Sequence, residues 1–171
     1  TASSYEALSA TERNSAVSTV ASEANKIQSI KIAGSNLSEY MIYQPAESSE
    51  CLNFAAAELS SYIEKASGIQ LETSSESEGE KVIELVVDGN LASDDAFAIK
   101  TANGKLTITG GSERGCLYGV YEFLESYTGW RFLTVDCEVL MQEDSTVEIP
   151  DGVEDIQSPV FGDRGIYTYA V

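Results

Sequence analysis

Apolar residues recur at helical spacing in two segments of the chain, and the first of these runs from about residue 50 to residue 66. Ser48 or Ser49 can cap its start with a side-chain oxygen. Gly68 stands where helices often end in a left-handed conformation, which glycine adopts without strain. One face of this predicted helix is apolar and consists of Leu52, Ala55, Ala56, Leu59, Tyr62, Ile63 and Ala66.

The second helical pattern covers about residues 113–127, with Ser112 as its cap and Gly129 as its terminator. Gly115 and Gly119 are four positions apart and therefore lie on one face of the helix. Because neither glycine carries a side chain, we expect this helix to pack close to a sheet. The predicted core-facing side chains are Cys116, Leu117, Val120, Leu124 and Tyr127.

Alternating apolar and polar residues predict strands, and the clearest pair forms a hairpin. Residues 96–101 and 105–109 flank Asn103-Gly104, a turn sequence in which both residues accept a positive φ. A two-residue turn pairs Ile99 with Ile108. The apolar side chains that then share one face, and so support this register, are Phe97, Ile99, Leu106 and Ile108.

The remaining pattern is weaker. Further strands are predicted around residues 30–32, 40–43, 69–71, 82–87, 139–141 and 146–149. The run 82–87 is almost continuously apolar, which is typical of a strand buried on both faces. Residues 1–28 carry a weak helical stripe and predict a loose helix or a flexible leader. Residues 151–158 are acidic and predict a linker.

The charge balance is strongly acidic, because 28 acidic residues face 10 basic ones and give a net charge of −18. Such a field repels phosphate backbones and anionic membrane surfaces, so we expect no nucleic-acid partner. The absence of histidine from the sequence excludes a Ser-His-Asp triad, a Cys-His pair and an imidazole metal site. With 171 residues, the chain is long enough for one domain with a substantial core.

The sequence contains neither a membrane span nor a signal peptide, since no apolar run approaches the ~20 residues that cross a bilayer. It begins at Thr1 rather than at a methionine, so we expect a processed or trimmed piece. Cys51, Cys116 and Cys137 are widely spaced, which argues against a zinc or thioredoxin-type site. One disulfide with a leftover thiol is possible, but their positions favour small apolar side chains in the core.

Three features invite a catalytic or binding interpretation. Residues 110–115 follow a strand and open a helix, as phosphate loops do, but the lysine and glycine spacing of such loops is missing. Adjacent carboxylates, which glycoside hydrolysis could use, fall in loop or linker patterns at residues 94–95, 143–144 and 154–155. Aromatic residues crowd residues 118–132, where Trp130 or Tyr121 could form an exposed sugar platform, although helical spacing favours the core for most of them.

Three stretches in order resemble a known arrangement: FAAAELSSYIEKASGIQL at residues 54–71, FAIKTANGKLTITGGSERGCLYGVYEFLESYTGWRFL at 97–133, and IPDGVEDIQSPVFGDRG at 149–165. Together they look like the N-terminal α/β accessory domain of β-N-acetylhexosaminidases, α-glucuronidases and a related uncharacterised bacterial glycoside hydrolase-like group. The Gly-Trp-Arg-Phe motif at 129–132 is most similar to the uncharacterised group.

This resemblance implies an α+β fold in which a small, mostly antiparallel sheet packs against two helices. It implies an accessory domain over residues 29–150, followed at 151–171 by a linker and the first strand of a (β/α)₈ barrel whose remainder is missing. Arg164 matches a junction arginine that contacts sugar hydroxyls in hexosaminidases, and an arginine fork suits vicinal hydroxyls. Ile166-Tyr167-Thr168-Tyr169 replaces the Leu-Asp that follows in hexosaminidases, so Arg164 is either structural or in contact with substrate.

Three functions follow as hypotheses. The first is a non-catalytic domain that braces the barrel of a secreted or cell-surface bacterial glycoside hydrolase, with the barrel as its partner. The second is a stand-alone module that binds a glycan through exposed aromatics, and the third is a small independent enzyme. We expect no catalytic residue, cofactor or metal in this chain. The severed strand at 165–171 is expected to be disordered or to pair with another chain.

Overall fold

The structure is a computed structural model that describes residues 27–45, 47–75, 79–134, 137–142 and 145–160. The predicted leader lies outside these residues apart from its last two positions. Arg164 and the predicted barrel strand at 165–171 also lie outside them. In the described part of the chain, no helix is long and apolar enough to cross a membrane.

Both predicted helices are confirmed, and we call them α1 (Glu50–Ser67) and α2 (Glu113–Thr128). The Ser49 side chain accepts a hydrogen bond from the amide of Leu52 at the start of α1. Gly68 and Gly129 end the two helices in the left-handed conformation, at φ 76° and 80°. Local signals of cap and terminator therefore define the helix bounds to within one residue of the prediction.

Eleven strands are found among the described residues: β1 (Ser29–Ile32), β2 (Ser35–Asn36), β3 (Met41–Tyr43), β4 (Glu72–Ser74), β5 (Val82–Val87), β6 (Phe97–Ala102), β7 (Lys105–Gly110), β8 (Trp130–Thr134), β9 (Cys137–Leu140), β10 (Thr146–Ile149) and β11 (Glu154–Gln157). Six of them form the main sheet in the order β11-β6-β7-β5-β3-β4. A smaller sheet has the order β10-β1-β2, and β8 pairs with β9.

The α+β fold is confirmed, but the expectation of a mostly antiparallel sheet needs correction because the main sheet is mixed. β3 runs parallel to β4 and β5, and β5 runs parallel to β7, while β6 is antiparallel to both β7 and β11. The reason is the path of the chain. Helix α1 returns the chain so that β4 runs alongside β3 in the same direction. After β5, residues 88–96 carry the chain past the position beside β5, and β6 forms one place further out. The hairpin then returns β7 to the position between β6 and β5.

The predicted hairpin is confirmed in its register. Ile99 lies opposite Ile108 and Ala102 opposite Lys105. The turn residues Asn103 and Gly104 have φ values of 52° and 78°. The side chains of β6 and β7 that face the helices are thereby fixed, and Ile99, Leu106 and Ile108 are fully buried.

One core joins the two helices to a single face of the main sheet. Helices α1 and α2 pack against each other, and α2 also packs against β5, β6 and β7. Phe123 belongs to this core and stacks on Tyr127 with ring centroids 5.4 Å apart. The small sheet adds its own apolar side chains to the same core: Ile30, Ile32, Val147 and Ile149.

Three local expectations differ from the structure. The strand predicted at residues 69–71 lies three residues later, as β4. Val86 and Val87 at the end of β5 are exposed, because none of the described elements covers that part of the sheet. The acidic segment 151–158 contains β11, which is the edge strand of the main sheet and pairs with β6, and there Glu154 forms an ion pair with Lys100. Exposure alternates along β11, with Glu154 and Ile156 exposed and Asp155 and Gln157 half-buried.

Candidate functional site

The glycine-rich bend at residues 110–115 is filled by protein backbone. A Cβ atom on Gly111 would lie 2.0 Å from the Ser93 carbonyl oxygen, and one on Gly115 would lie 2.5 Å from the Asp94 carbonyl oxygen. The Ser112 hydroxyl donates to the Asp94 carbonyl and accepts from the Gly115 amide. The bend therefore serves close packing between α2 and residues 93–96, as the sequence pattern predicts, and leaves no cradle for a phosphate.

Three of the adjacent carboxylates that the structure describes, those of Asp95, Glu154 and Asp155, are engaged by basic or amide groups. Asp95 pairs with the Arg114 guanidinium at 2.6 Å, and Glu154 pairs with the Lys100 ammonium at 2.6 Å. The Gln157 side-chain amide donates to Asp155. Residues 143–144 lie outside the described part of the chain. These contacts agree with surface roles for the described pairs.

Four aromatic rings meet where α1, α2 and the β8–β9 pair come together, and we call Tyr62, Tyr121, Trp130 and Phe132 the aromatic cluster. The Tyr62 ring meets Trp130 and Phe132 edge to face, each at a centroid distance of 5.0 Å. Tyr121 meets Phe132 in the same way at 4.9 Å. Trp130 is only 6% exposed, and its indole N–H donates to the Tyr62 carbonyl. Trp130 is thus a core residue that joins β8 to α1. It does not form an exposed platform for a sugar ring.

Charged groups surround the aromatic cluster. The Tyr121 hydroxyl donates to the Glu58 carboxylate at 2.6 Å, and the Tyr62 hydroxyl donates to Glu138. The Lys65 ammonium forms an ion pair with Glu138 at 2.8 Å and lies 4.3 Å from the centroid of the Tyr62 ring. The sequence does not predict this network, because each tyrosine and its carboxylate partner are 63 and 76 residues apart and no local pattern marks them.

These contacts shift the pKa values of the Tyr62 and Tyr121 hydroxyls and of the Glu138 carboxyl. Burial raises the pKa of the Tyr62 and Tyr121 hydroxyls, and their hydrogen bonds to carboxylates raise it further. Burial alone would raise the pKa of the Glu138 carboxyl, but hydrogen bonds from Lys65 and Tyr62 outweigh burial and hold this pKa below its ordinary value of 4.5. The Glu138 carboxylate therefore ties β9 to α1 in its charged form.

The Glu138 pKa predicts how stability depends on pH. A carboxyl with a lowered folded-state pKa stabilises the fold above its unfolded pKa, and this stabilisation is lost as the pH falls through the folded pKa. We expect the thermal midpoint of Glu138→Gln to fall less steeply than that of the unaltered chain between about pH 6 and pH 3. Circular dichroism melts at several pH values measure this. The exposed Glu72→Gln is the control, and an equally steep fall in both variants contradicts the role of Glu138.

A pocket of about 320 Å³ opens beside α2, next to the end of β11. We call it the α2 pocket. Its lining combines apolar rings, carboxylates and the last described residues of the chain: Asp95, Phe97, Tyr118, Tyr121, Glu122, Glu125, Gln157, Ser158 and Pro159. In the described part of the chain, no group of histidine, cysteine, aspartate or glutamate side chains has the geometry of a metal site.

The expectation that all three cysteines are core side chains holds fully for Cys116 alone. Cys51 lies in α1, Cys116 in α2 and Cys137 in β9, and all three are free thiols. Burial raises the pKa of the Cys116 thiol to about 12, and its sulfur lies 3.5 Å from the Ile108 carbonyl oxygen. Cys116 is therefore a small core side chain, whereas Cys51 and Cys137 are half-buried.

The sequence matches the model of a known protein family. Residues 26–131, well over half of the chain, match the family described as glycosyl hydrolase family 20, domain 2. The chain belongs to this family. It is accordingly an accessory domain associated with glycoside hydrolases, which confirms the resemblance inferred from the three sequence stretches. The residues that match family 20 domain 2 include α1, α2 and the hairpin of β6 and β7.

Two solved structures show partial similarity to this family 20 domain 2. A GH115 4-O-methyl-α-glucuronidase with specificity for decorated arabinogalactans is 14% identical, with a TM-score of 0.47 over 70% of this chain. A GH138 enzyme targeting pectin rhamnogalacturonan II is 19% identical, with a TM-score of 0.42 over 50% of this chain. The matched part spans 18% and 10% of those two chains. Among curated proteins, no sequence matches this chain.

Proposed function

We propose that this domain carries out no chemistry of its own and braces a C-terminal (β/α)₈ barrel, which carries the catalytic carboxylates of a bacterial glycoside hydrolase that is secreted or held at the cell surface. The observation that carries this proposal is the match to a family defined as the second domain of glycosyl hydrolases. A domain of that kind works beside others in one polypeptide, so its contribution is expected at a contact surface rather than at a reaction centre.

The exposed apolar side chains support a bracing role. Phe54 on α1 is 51% exposed and Tyr118 on α2 is 38% exposed, and both helices turn their other face to the core. Leu133 and Met141, at the β8–β9 pair, are also exposed. Large apolar side chains that stand in solvent on a packed layer are typical of a surface that another domain covers.

The contacts of four carboxylates outside Glu122 and Glu125 support the proposal that this domain carries out no chemistry. Glycoside hydrolysis needs two carboxyl groups that face one bond and are free to give and take a proton. Here Glu58 and Glu138 accept hydrogen bonds from the hydroxyls of Tyr121 and Tyr62, and Asp95 and Glu154 are held by basic side chains. These carboxylates serve packing and solubility.

A direct test compares this chain with the longer protein that contains it, using aryl-glycosides as substrates. We expect the chain alone to release no aryl group above the rate of buffer, and the longer protein to release it. Turnover by the chain alone would overturn the proposal.

In the longer protein, Arg164→Gln is expected to raise KM about tenfold or more if Arg164 holds sugar hydroxyls, because charge-assisted hydrogen bonds contribute roughly 1.5–3 kcal/mol.

A second candidate function is a stand-alone carbohydrate-binding module, and the α2 pocket is the feature that favours it. Tyrosine rings and carboxylates together line the pocket, and such groups bind the faces and hydroxyls of sugars. Calorimetric titration of neutral oligosaccharides into this chain tests it. Saturable heat that disappears in Tyr118→Ala would favour the binding module over the brace.

A further inference from the structure

The α2 pocket has an apolar wall with carboxylates at its side. Phe97, Tyr121 and Pro159 belong to the wall, and Tyr118 adds a ring that remains partly in solvent. Glu122 and Glu125 follow Tyr118 on α2 at positions i+4 and i+7, so the ring and both carboxylates share one side of the helix. The pocket therefore offers flat rings and negative charge to one occupant.

Neither carboxylate has a basic partner among the described residues. Glu122 accepts a hydrogen bond from the Ser126 hydroxyl, and Glu125 accepts one from the Phe132 amide. The Arg131 guanidinium is close by, but it donates to the backbone carbonyls of Glu125 and Trp130. None of the five ion pairs found among the described residues includes Glu122 or Glu125. Glu122 and Glu125 are thus half-buried and have no basic partner among the described residues, whereas Asp95, the third carboxylate of the pocket, is paired with Arg114.

The chain leaves the described fold at this pocket. Gln157 at the end of β11 lines it, and so do Ser158 and Pro159. The side chain of Val160 is 90% exposed. The polypeptide that follows residue 160 therefore starts at the mouth of the pocket, and each further residue extends its reach by at most about 3.5 Å.

We propose that the α2 pocket receives a basic side chain of the polypeptide that follows residue 160. The proposal rests on the proposed function, since it supplies the contact by which the following domain is held. A guanidinium or ammonium group stacks on a tyrosine face and bonds to carboxylates, so it matches both components of the pocket. An acidic or purely apolar occupant would leave Glu122 and Glu125 uncompensated as it excluded water from them.

Hydrogen exchange in the longer protein tests this contact. The variant is Glu122→Gln/Glu125→Gln, which keeps the shape of the pocket and removes its charge. The matched control is Glu64→Gln/Glu72→Gln, which removes two exposed charges elsewhere. We expect peptides from the C-terminal half of α2 and from residues 157–165 to exchange about tenfold faster in the pocket variant, because a hydrogen bond to a charged group is lost. High salt is expected to reproduce this change in the unaltered protein.

Each outcome decides something different. If α2 shows no protection on its outer side in the longer protein, the proposed function fails together with this inference. If protection is present but survives both the glutamine substitutions and high salt, the following domain is held without a basic side chain in the pocket, and this inference alone fails. If added methyl β-glucoside rather than salt changes exchange at the pocket, its occupant is a sugar. Unchanged exchange of β7 amides in every variant shows that the fold is intact.

Discussion

Replacing Gly115 by alanine is expected to destabilise the chain by about 3 kcal/mol or more, although the same change in an open helix position stabilises by about 1 kcal/mol. The added Cβ would lie 2.5 Å from the Asp94 carbonyl oxygen and 2.6 Å from the Ala96 carbonyl oxygen. Both atoms belong to backbone that holds the start of β6 against α2, so neither can move without disturbing the sheet. Urea unfolding monitored by circular dichroism measures the loss.

Gly89→Ala is the matched control for this prediction. A Cβ atom on Gly89 meets no heavy atom within 4 Å, and this glycine does not need a positive φ. We expect its free energy of unfolding to stay within about 0.5 kcal/mol of the unaltered chain. If Gly115→Ala proved neutral or stabilising, the close approach of α2 to residues 94–96 would be wrong.

Phe123→Ala is expected to lower the free energy of unfolding by about 3–5 kcal/mol, because it removes a fully buried aromatic ring from the core. The side chain is 1% exposed, and its ring stacks on Tyr127. The loss combines the transfer of a large apolar ring to water with the cavity that rigid neighbours leave behind. The same urea titrations measure it.

Phe54→Ala is the control for Phe123→Ala, since it removes the same ring from a site that is 51% exposed. In the chain of 171 residues we expect a change of no more than about 0.5 kcal/mol. Comparable losses for both variants would mean that Phe54 belongs to the core. The outer side of α1 would then have no free aromatic ring for another domain.

The parts of the fold that the sequence predicts are those whose signals are local. Ser49 and Gly68 mark the ends of α1 by the conformations they adopt, and Asn103-Gly104 fixes the hairpin register by requiring two positive φ values. Gly115 predicts the close packing of α2 in the same way. In each case one or two adjacent residues suffice, because backbone geometry restricts which residue types can stand there.

The parts that the sequence does not predict depend on contacts between distant residues. β8 was not predicted as a strand, since Trp130 and Phe132 follow a helix and take their places by packing on Tyr62. β11 is acidic and short, and only its pairing with β6 makes it a strand. The parallel order of β3, β5 and β7 follows from the path of the chain, and no periodicity within a strand records it.

In the candidate site too, local features are predicted from the sequence and contacts between distant residues are not. The sequence correctly rejects a phosphate loop at residues 110–115, because the residues it lacks are local ones. The carboxylates of Glu58 and Glu138 approach the aromatic cluster through tertiary packing alone, and so do the walls of the α2 pocket. Arg164, which the resemblance makes either a sugar contact or a structural residue, lies outside the described residues and stays a prediction.

Differential scanning calorimetry of the longer protein tests the bracing role most directly. We predict one cooperative transition that includes both this domain and the proposed barrel, because the proposed contact covers Phe54 and Tyr118, which are exposed in this domain. Phe54→Ser/Tyr118→Ser is then expected to split it into two transitions, the lower one belonging to the barrel. Two separate transitions in the unaltered protein, at the temperatures of the isolated parts, would contradict the brace.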